Sequence, residues 1–179
     1  MSGQWKSYAH ALYELAAEES LDGVILEQLE TLDQVFTAEP DFLRLLSSPN
    51  LSKEERCGIA SDVLNGKVHP YVQNTLLLLT KKGAVRYFSG CCKEYRALYD
   101  DAHGILAVSA LTAIPLSEEQ TQRLAGKMES VTGKTIRIRN LIDPSCMGGV
   151  RLDYDGKRLD GTVQGRLASI GEHLKNTIL

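Results

Sequence analysis

The sequence predicts an α+β chain: an N-terminal six-helix antiparallel bundle, then a small α+β domain with a short sheet and two helices. Three observations lead there. Apolar residues recur at spacings of three and four from residue 5 to residue 102, the period of helices with a buried face. The pattern turns from helical to extended at His103-Gly104. Residues 148–174, GGVRLDYDGKRLDGTVQGRLASIGEHL, then read as strand, tight turn, short strand and closing helix. The expected domains are therefore 1–103 and 104–179.

The first helix carries Trp5, Tyr8, Ala9, Leu12 and Ala16 at i, i+3, i+4, i+7, with Tyr13 and Leu15 widening the apolar surface beyond one stripe. The second runs from about residue 22 to 37, with Ile25, Leu29, Leu32 and Phe36 on one face. Pro40 opens a short third helix through Phe42, Leu43 and Leu46, stopped by Ser48-Pro49. Ser52-Lys53-Glu54-Glu55 is a capping box, and Ile59, Ala60, Val63 and Leu64 form the inner face of the fourth helix. Pro70 suits the first turn of the fifth, which places Val72, Leu76 and Leu79 on one face and ends at Lys81-Lys82-Gly83. The sixth runs through Val85, Phe88, Cys92, Tyr95, Tyr99 and Ala102. Short links between six helices of this kind make an antiparallel bundle with one core.

Beyond the boundary, residues 105–113 are a β-prone run. Ser117-Glu118-Glu119-Gln120 is a second capping box, opening a helix through Leu124, Met128 and Val131. Residues 135–139 alternate strictly, with Arg137 and Arg139 on the wet face. In the last stretch Val150, Leu152 and Tyr154 alternate with charged residues. Asp155-Gly156 is a hairpin signal, because a type I′ turn needs positive φ at both central positions. Asp160 or Thr162 can cap the final helix, which shows Val163, Leu167, Ile170 and Leu174 on one face.

Composition excludes several classes. An apolar content of 43% is ordinary for a globular chain of 179 residues, and a formal charge of −3 argues against a polyanion partner. The charge is uneven: residues 1–103 sum to −5 and residues 104–179 to +2. The longest apolar run, the four leucines 76–79, is far short of the roughly 18 residues a membrane span needs. Glu14, Glu18 and Glu19 argue against a transit peptide, so the chain is expected to be soluble and cytoplasmic in a bacterium. Cys57, Cys91, Cys92 and Cys146 show no CxxC spacing and read as free thiols.

No residue set supports catalysis, a cofactor or a metal. Thr132-Gly133-Lys134-Thr135 imitates the end of a phosphate-binding loop, but Met128 stands where that loop needs glycine, and helix precedes strand. His10, His69, His103 and His173 have no HExxH spacing. Arg137, Arg139, Arg151 and Arg158 could suggest an RNA-binding helical module with a basic appendage. No stacking aromatics accompany them, and Asp153 and Asp155 interleave. The surplus is apolar. The first and fifth helices carry more apolar surface than one stripe; either both are fully packed, or a groove between them receives an amphipathic partner helix.

Three stretches carry a family resemblance. The opening Ser7-Tyr8-Ala9-His10-Ala11-Leu12-Tyr13-Glu14-Leu15-Ala16, the middle with Asn74 and a leucine run before Lys81-Lys82-Gly83, and the Gly148-Gly149 pair followed by Asp160-Gly161-Thr162-Val163 occur in that order. Together they resemble the ATP synthase delta subunit, or oligomycin-sensitivity-conferring protein, family. The resemblance implies a non-catalytic stator subunit of a rotary proton-translocating ATP synthase, with no enzyme activity, cofactor or nucleic acid. It implies that the first domain binds an N-terminal segment of the alpha subunit through Tyr8, Ala11, Leu12, Leu15, Asn74 and Leu78. The second would hold the C-terminal segment of stalk subunit b, with Gly148, Gly149, Asp160 and Gly161 as its structural signature.

Overall fold

A computed structural model of the chain describes residues 4–48 and 50–167. The fold is α+β. The helices are α1 (Gln4–Glu18), α2 (Asp22–Ala38), α3 (Pro40–Leu46), α4 (Lys53–Leu64), α5 (Pro70–Lys81), α6 (Phe88–Ala102) and α7 (Glu118–Thr132). The strands are β1 (Ile105–Thr112), β2 (Thr135–Ile142), β3 (Val150–Tyr154) and β4 (Lys157–Asp160). Contacts divide the chain into two compact units, Met1–Tyr99 and Asp100–Leu179.

The division comes four residues before the expected 103/104 boundary, inside α6. Tyr99 faces Gly23 of α2, where a β-carbon would lie 3.6 Å from the tyrosine hydroxyl. Asp100, one residue on, accepts two hydrogen bonds from Arg137 of β2, at 2.7 and 2.8 Å. Successive helical residues point about 100° apart, so the last turn of α6 can serve a different core from the rest of the helix. Arg137 is accordingly not simply a solvated arginine of the wet face.

The first unit has one core. Ile25, Leu29, Leu32 and Phe36 of α2 are buried in it, as their spacing predicts, with Leu76 and Leu79 of α5 and Phe88 and Tyr95 of α6. The ring of Phe36 meets Phe42 and Phe88 at 5.5 and 5.1 Å between centroids. Local chemistry starts α4 as expected: Ser52 accepts from the Glu55 N–H, and Glu55 accepts from the Ser52 N–H. Two details differ. Val63 is exposed, leaving Ala60 and Leu64 as the buried residues of α4. Residues 85–87 form a 3₁₀ turn, so α6 begins at Phe88 rather than Val85.

In the second unit β1 and β2 are parallel through α7, and β3 pairs antiparallel with β1 and β4, giving the order β2-β1-β3-β4. Val108, Ala110, Met128, Ile136 and Leu152 form its small core. The capping box at Ser117 and Gln120 is present, but Val131 is exposed, outside the stripe that α7 lays on the sheet. The β3–β4 turn has φ of +46° at Asp155 and +69° at Gly156, the conformation Asp-Gly favours. Asn140 ties the sheet to the loop before α7: its amide donates to the Ala110 carbonyl and the Thr112 hydroxyl, and its oxygen accepts from the Leu116 N–H. Residues 163–167 are helical, with Val163 and Leu167 exposed. Ile170 and Leu174 of the expected apolar face lie outside the described residues.

Candidate functional site: a groove between α1 and α5

The fifth helix is fixed at its start by a cap that the sequence did not advertise. The Nδ1 atom of His69 accepts from the Tyr71 N–H at 3.3 Å, and the His69 N–H donates to Gln28 of α2. Pro70 follows at the position where a missing N–H costs nothing. Val72, Leu76 and Leu79 then lie fully buried. Thr75 and Thr80, buried beside them, satisfy their hydroxyls on the carbonyls of Tyr71 and Leu76, at 2.8 Å each.

This seating leaves a second face of α5 turned toward α1. A groove of about 270 Å³ is lined by Tyr8, Ala11, Leu12 and Leu15 from α1 and by Tyr71, Asn74, Thr75 and Leu78 from α5. All six residues expected to face a partner are in it. Their burial differs. Leu12, only 3% exposed, is the floor and belongs equally to the core. Leu15 at 47% and Leu78 at 38% are open to solvent, flanked by exposed Ala11 and Asn74. Leu76 and Leu79 are core while Leu78 is not, so the leucine run of α5 serves two surfaces.

Tyr71 was not singled out from the sequence, because it precedes the leucine run. Its hydroxyl donates to Glu19 at 2.7 Å, just past the end of α1. That hydrogen bond, with the charges of Glu19 and Glu18, pushes the phenol up from its ordinary pKa. The signal available in the sequence was the spacing Tyr71, Asn74, Thr75, Leu78, a continuous i, i+3, i+4, i+7 stripe.

The groove carries no reactive group. Elsewhere, burial pushes the Cys91 thiol up to about 12 and Cys92 higher still, so both are protonated, inert core residues at neutral pH. A larger cavity of about 560 Å³ lies at the β3–β4 turn. Its walls are largely charged, and Asp153 among them is already paired: it accepts from Arg158 at 2.7 Å and from Arg151 at 3.3 Å, which holds its carboxyl below the usual range.

The C-terminal signature residues come together in space. Gly149 has φ of +80°, and a β-carbon on it would strike the Gly161 carbonyl and lie 2.9 Å from the Thr162 α-carbon. The Gly161 N–H donates to the Val150 carbonyl, and the Val163 N–H to that of Gly148. Of the two candidate caps, Thr162 caps the helix: its hydroxyl oxygen accepts from the Gly165 N–H at 3.0 Å. Asp160 acts behind it, accepting from the Thr162 hydroxyl at 2.7 Å and N–H at 2.9 Å, and these bonds hold its carboxyl below the usual range. A β-carbon on Gly165 would lie 2.7 Å from the Asp160 carboxyl carbon, so the pattern Asp160-Gly161-Thr162-Val163-Gln164-Gly165 is one structural unit.

A family model of the ATP synthase delta (OSCP) subunit matches residues 5–174. The ATP synthase subunit delta of Alkaliphilus oremlandii is 32% identical over 174 residues, covering 97% of each chain. That of Geobacillus sp. is 32% identical over 170 residues, 94% of this chain and 95% of the other. In fold, the chain is similar to one in the Toxoplasma gondii mitochondrial ATP synthase hexamer, with a TM-score of 0.76 over 96% of this chain and 97% of that one, at 18% identity. These likenesses give no support to an RNA-binding module. The chain belongs to the ATP synthase delta (OSCP) subunit family, and is a non-catalytic stator subunit of the F-type ATP synthase.

Proposed function

We propose that the groove between α1 and α5 receives an amphipathic N-terminal segment of an alpha subunit of the catalytic head. The C-terminal unit holds the C-terminal segment of stalk subunit b. The N-terminal unit then acts as an antiparallel six-helix bundle seated on the head, and the chain is peripheral to the cytoplasmic face of a bacterial membrane through its complex. No helix among the described residues is long and apolar enough to cross a membrane.

The reading rests on one observation: the six residues that resemblance assigns to the partner line a single groove in which Leu15 and Leu78 are left exposed. A helix laid there would cover Leu15 and Leu78 with its own apolar face, while Ala11 admits its backbone closely and Asn74 offers hydrogen bonds that set its register. The task is static. The head must not turn with the central shaft, which calls for slow dissociation. Apolar anchors in desolvated pockets supply that better than rim charges do.

The test is titration of the protein with a peptide of the alpha-subunit N-terminal segment from the same organism, read by fluorescence anisotropy. Saturable binding, weakened by Leu78→Ala and lost in Ala11→Asp with the melt unchanged, is the expected result. Absence of binding, or affinity indifferent to both changes, rejects it.

A further inference from the structure

Both stripes that line the groove continue, in the sequence, into charge. On α1 the stripe Tyr8, Ala11, Leu12, Leu15 is followed at the next helical positions by Glu18 and Glu19. On α5 the stripe Tyr71, Asn74, Thr75, Leu78 is followed by Lys81 and Lys82. The Tyr71–Glu19 hydrogen bond puts the start of α5 at the end of α1. Since Asn74, Thr75 and Leu78 line the same groove as residues 8–15, α5 must run back along α1 from there. The two charged pairs therefore stand at opposite ends of the groove, acidic at one, basic at the other.

Both pairs are available to a ligand. Glu18, Glu19, Lys81 and Lys82 are exposed. Among the described residues none of the four is in an ion pair. Glu19 accepts a hydrogen bond from the phenol of Tyr71, itself a wall of the groove, which fixes the acidic pair at that end of the site.

We infer that the groove selects the orientation of its occupant by charge. It takes an amphipathic helix with basic side chains at the end over Glu18 and Glu19, and acidic side chains at the end over Lys81 and Lys82. The inference rests on the docking reading above and adds the chemistry of the partner. Apolar contact along the middle is nearly indifferent to direction, because leucine and alanine anchors fit either way round. End charges are not indifferent: a reversed helix would set like charges opposite each other at both ends. The same layout hastens encounter at low salt.

The experiment uses the full chain and the alpha-subunit N-terminal peptide, in its native form and with its acidic and basic residues exchanged. The variants are E18K/E19K, K81E/K82E, all four together, and E18K alone, which leaves the Tyr71–Glu19 bond in place. Circular dichroism melts accompany each. At low salt each double variant should weaken the native peptide by about tenfold, with the difference shrinking as screening increases. The exchanged peptide should bind the fourfold variant better than it binds the unaltered chain. Native-peptide affinity indifferent to both double variants, or no gain for the exchanged peptide on the fourfold variant, overturns the inference. If the native peptide binds and responds to Leu78→Ala but not to charge, orientation by charge falls while docking stands. If it does not bind at all, both fall.

Discussion

Gly149 and Gly161 touch backbone to backbone, with no room between them for a β-carbon. One opens β3 and the other leads from β4 into the final helix, so this contact closes the sheet against the helix. It accounts for glycine at 149 by space and by a left-handed φ, while at 161 a β-carbon would press on the Val150 carbonyl at 3.0 Å.

Gly149→Ala is therefore expected to destabilise the C-terminal unit by about 2–3 kcal/mol, from overpacking and backbone strain together. Gly156→Ala is the control. Its φ is similar but its surroundings are open, so only about 1 kcal/mol is expected. Hydrogen exchange of the β1 and β3 amides reads both; equal effects would show that packing against Gly161 contributes nothing.

Thr162→Ala should cost about 1–2 kcal/mol, the range for a lost helix cap. Asp160→Ala should destabilise through disorder of the Thr162 hydroxyl, and should also alter the response to acid. The folded state holds the Asp160 carboxyl below its ordinary value, so its contribution is present above that value and is lost as pH falls below about 4. Asp143 and Asp153 are depressed too and titrate in the same window. The comparison is thus between slopes. Asp160→Ala should start lower at neutral pH and lose less on acidification; parallel curves from pH 7 to pH 2 would contradict it.

Leu78 and Leu79 should separate binding from folding. Leu79, fully buried, should cost about 2–5 kcal/mol of stability when truncated to alanine. Leu78→Ala should cost well under 1 kcal/mol of stability, and about 1–4 kcal/mol of affinity for the alpha-subunit peptide. Leu12→Ala should lose both, because Leu12 floors the groove and belongs to the core. Urea melts and peptide titrations of the same three proteins decide the matter. A large folding loss at Leu78 would make it a core residue.

Arg137→Met should expose the dependence of Asp100 on its partner. The Asp100 side chain is 10% exposed and would keep a carboxylate without its two hydrogen bonds. A loss of about 1–3 kcal/mol in the C-terminal unit is expected. Adding Asp100→Asn should recover part of it, since the stranded charge is then removed. A double variant no better than the single would show that the guanidinium matters through packing instead.

Much of the fold was legible because its signals are local. Capping boxes at Ser52 and Ser117, the Asp155-Gly156 turn and Pro40 and Pro70 act on backbone groups within a few residues, so spacing alone places them. Errors fell where burial depends on another element. Val63 and Val131 extend their stripes correctly in period, yet both are left exposed. His69 as a cap was illegible for a related reason: histidine is an uncommon choice there, and Gln28 from α2 helps to hold its backbone.

By itself the sequence determined the α+β class, the order of helices and strands, and a resemblance spread over the opening, middle and end of the chain. Periodicity and backbone chemistry do not need the rest of the molecule. Only the tertiary structure decided that Leu76 and Leu79 are core while Leu78 is rim, that Tyr71 joins the groove, that Thr162 rather than Asp160 is the cap, and that Asp100 belongs with the sheet. Each of these depends on which distant residue is brought within a few ångströms, and that is set by packing between elements rather than by spacing along one of them.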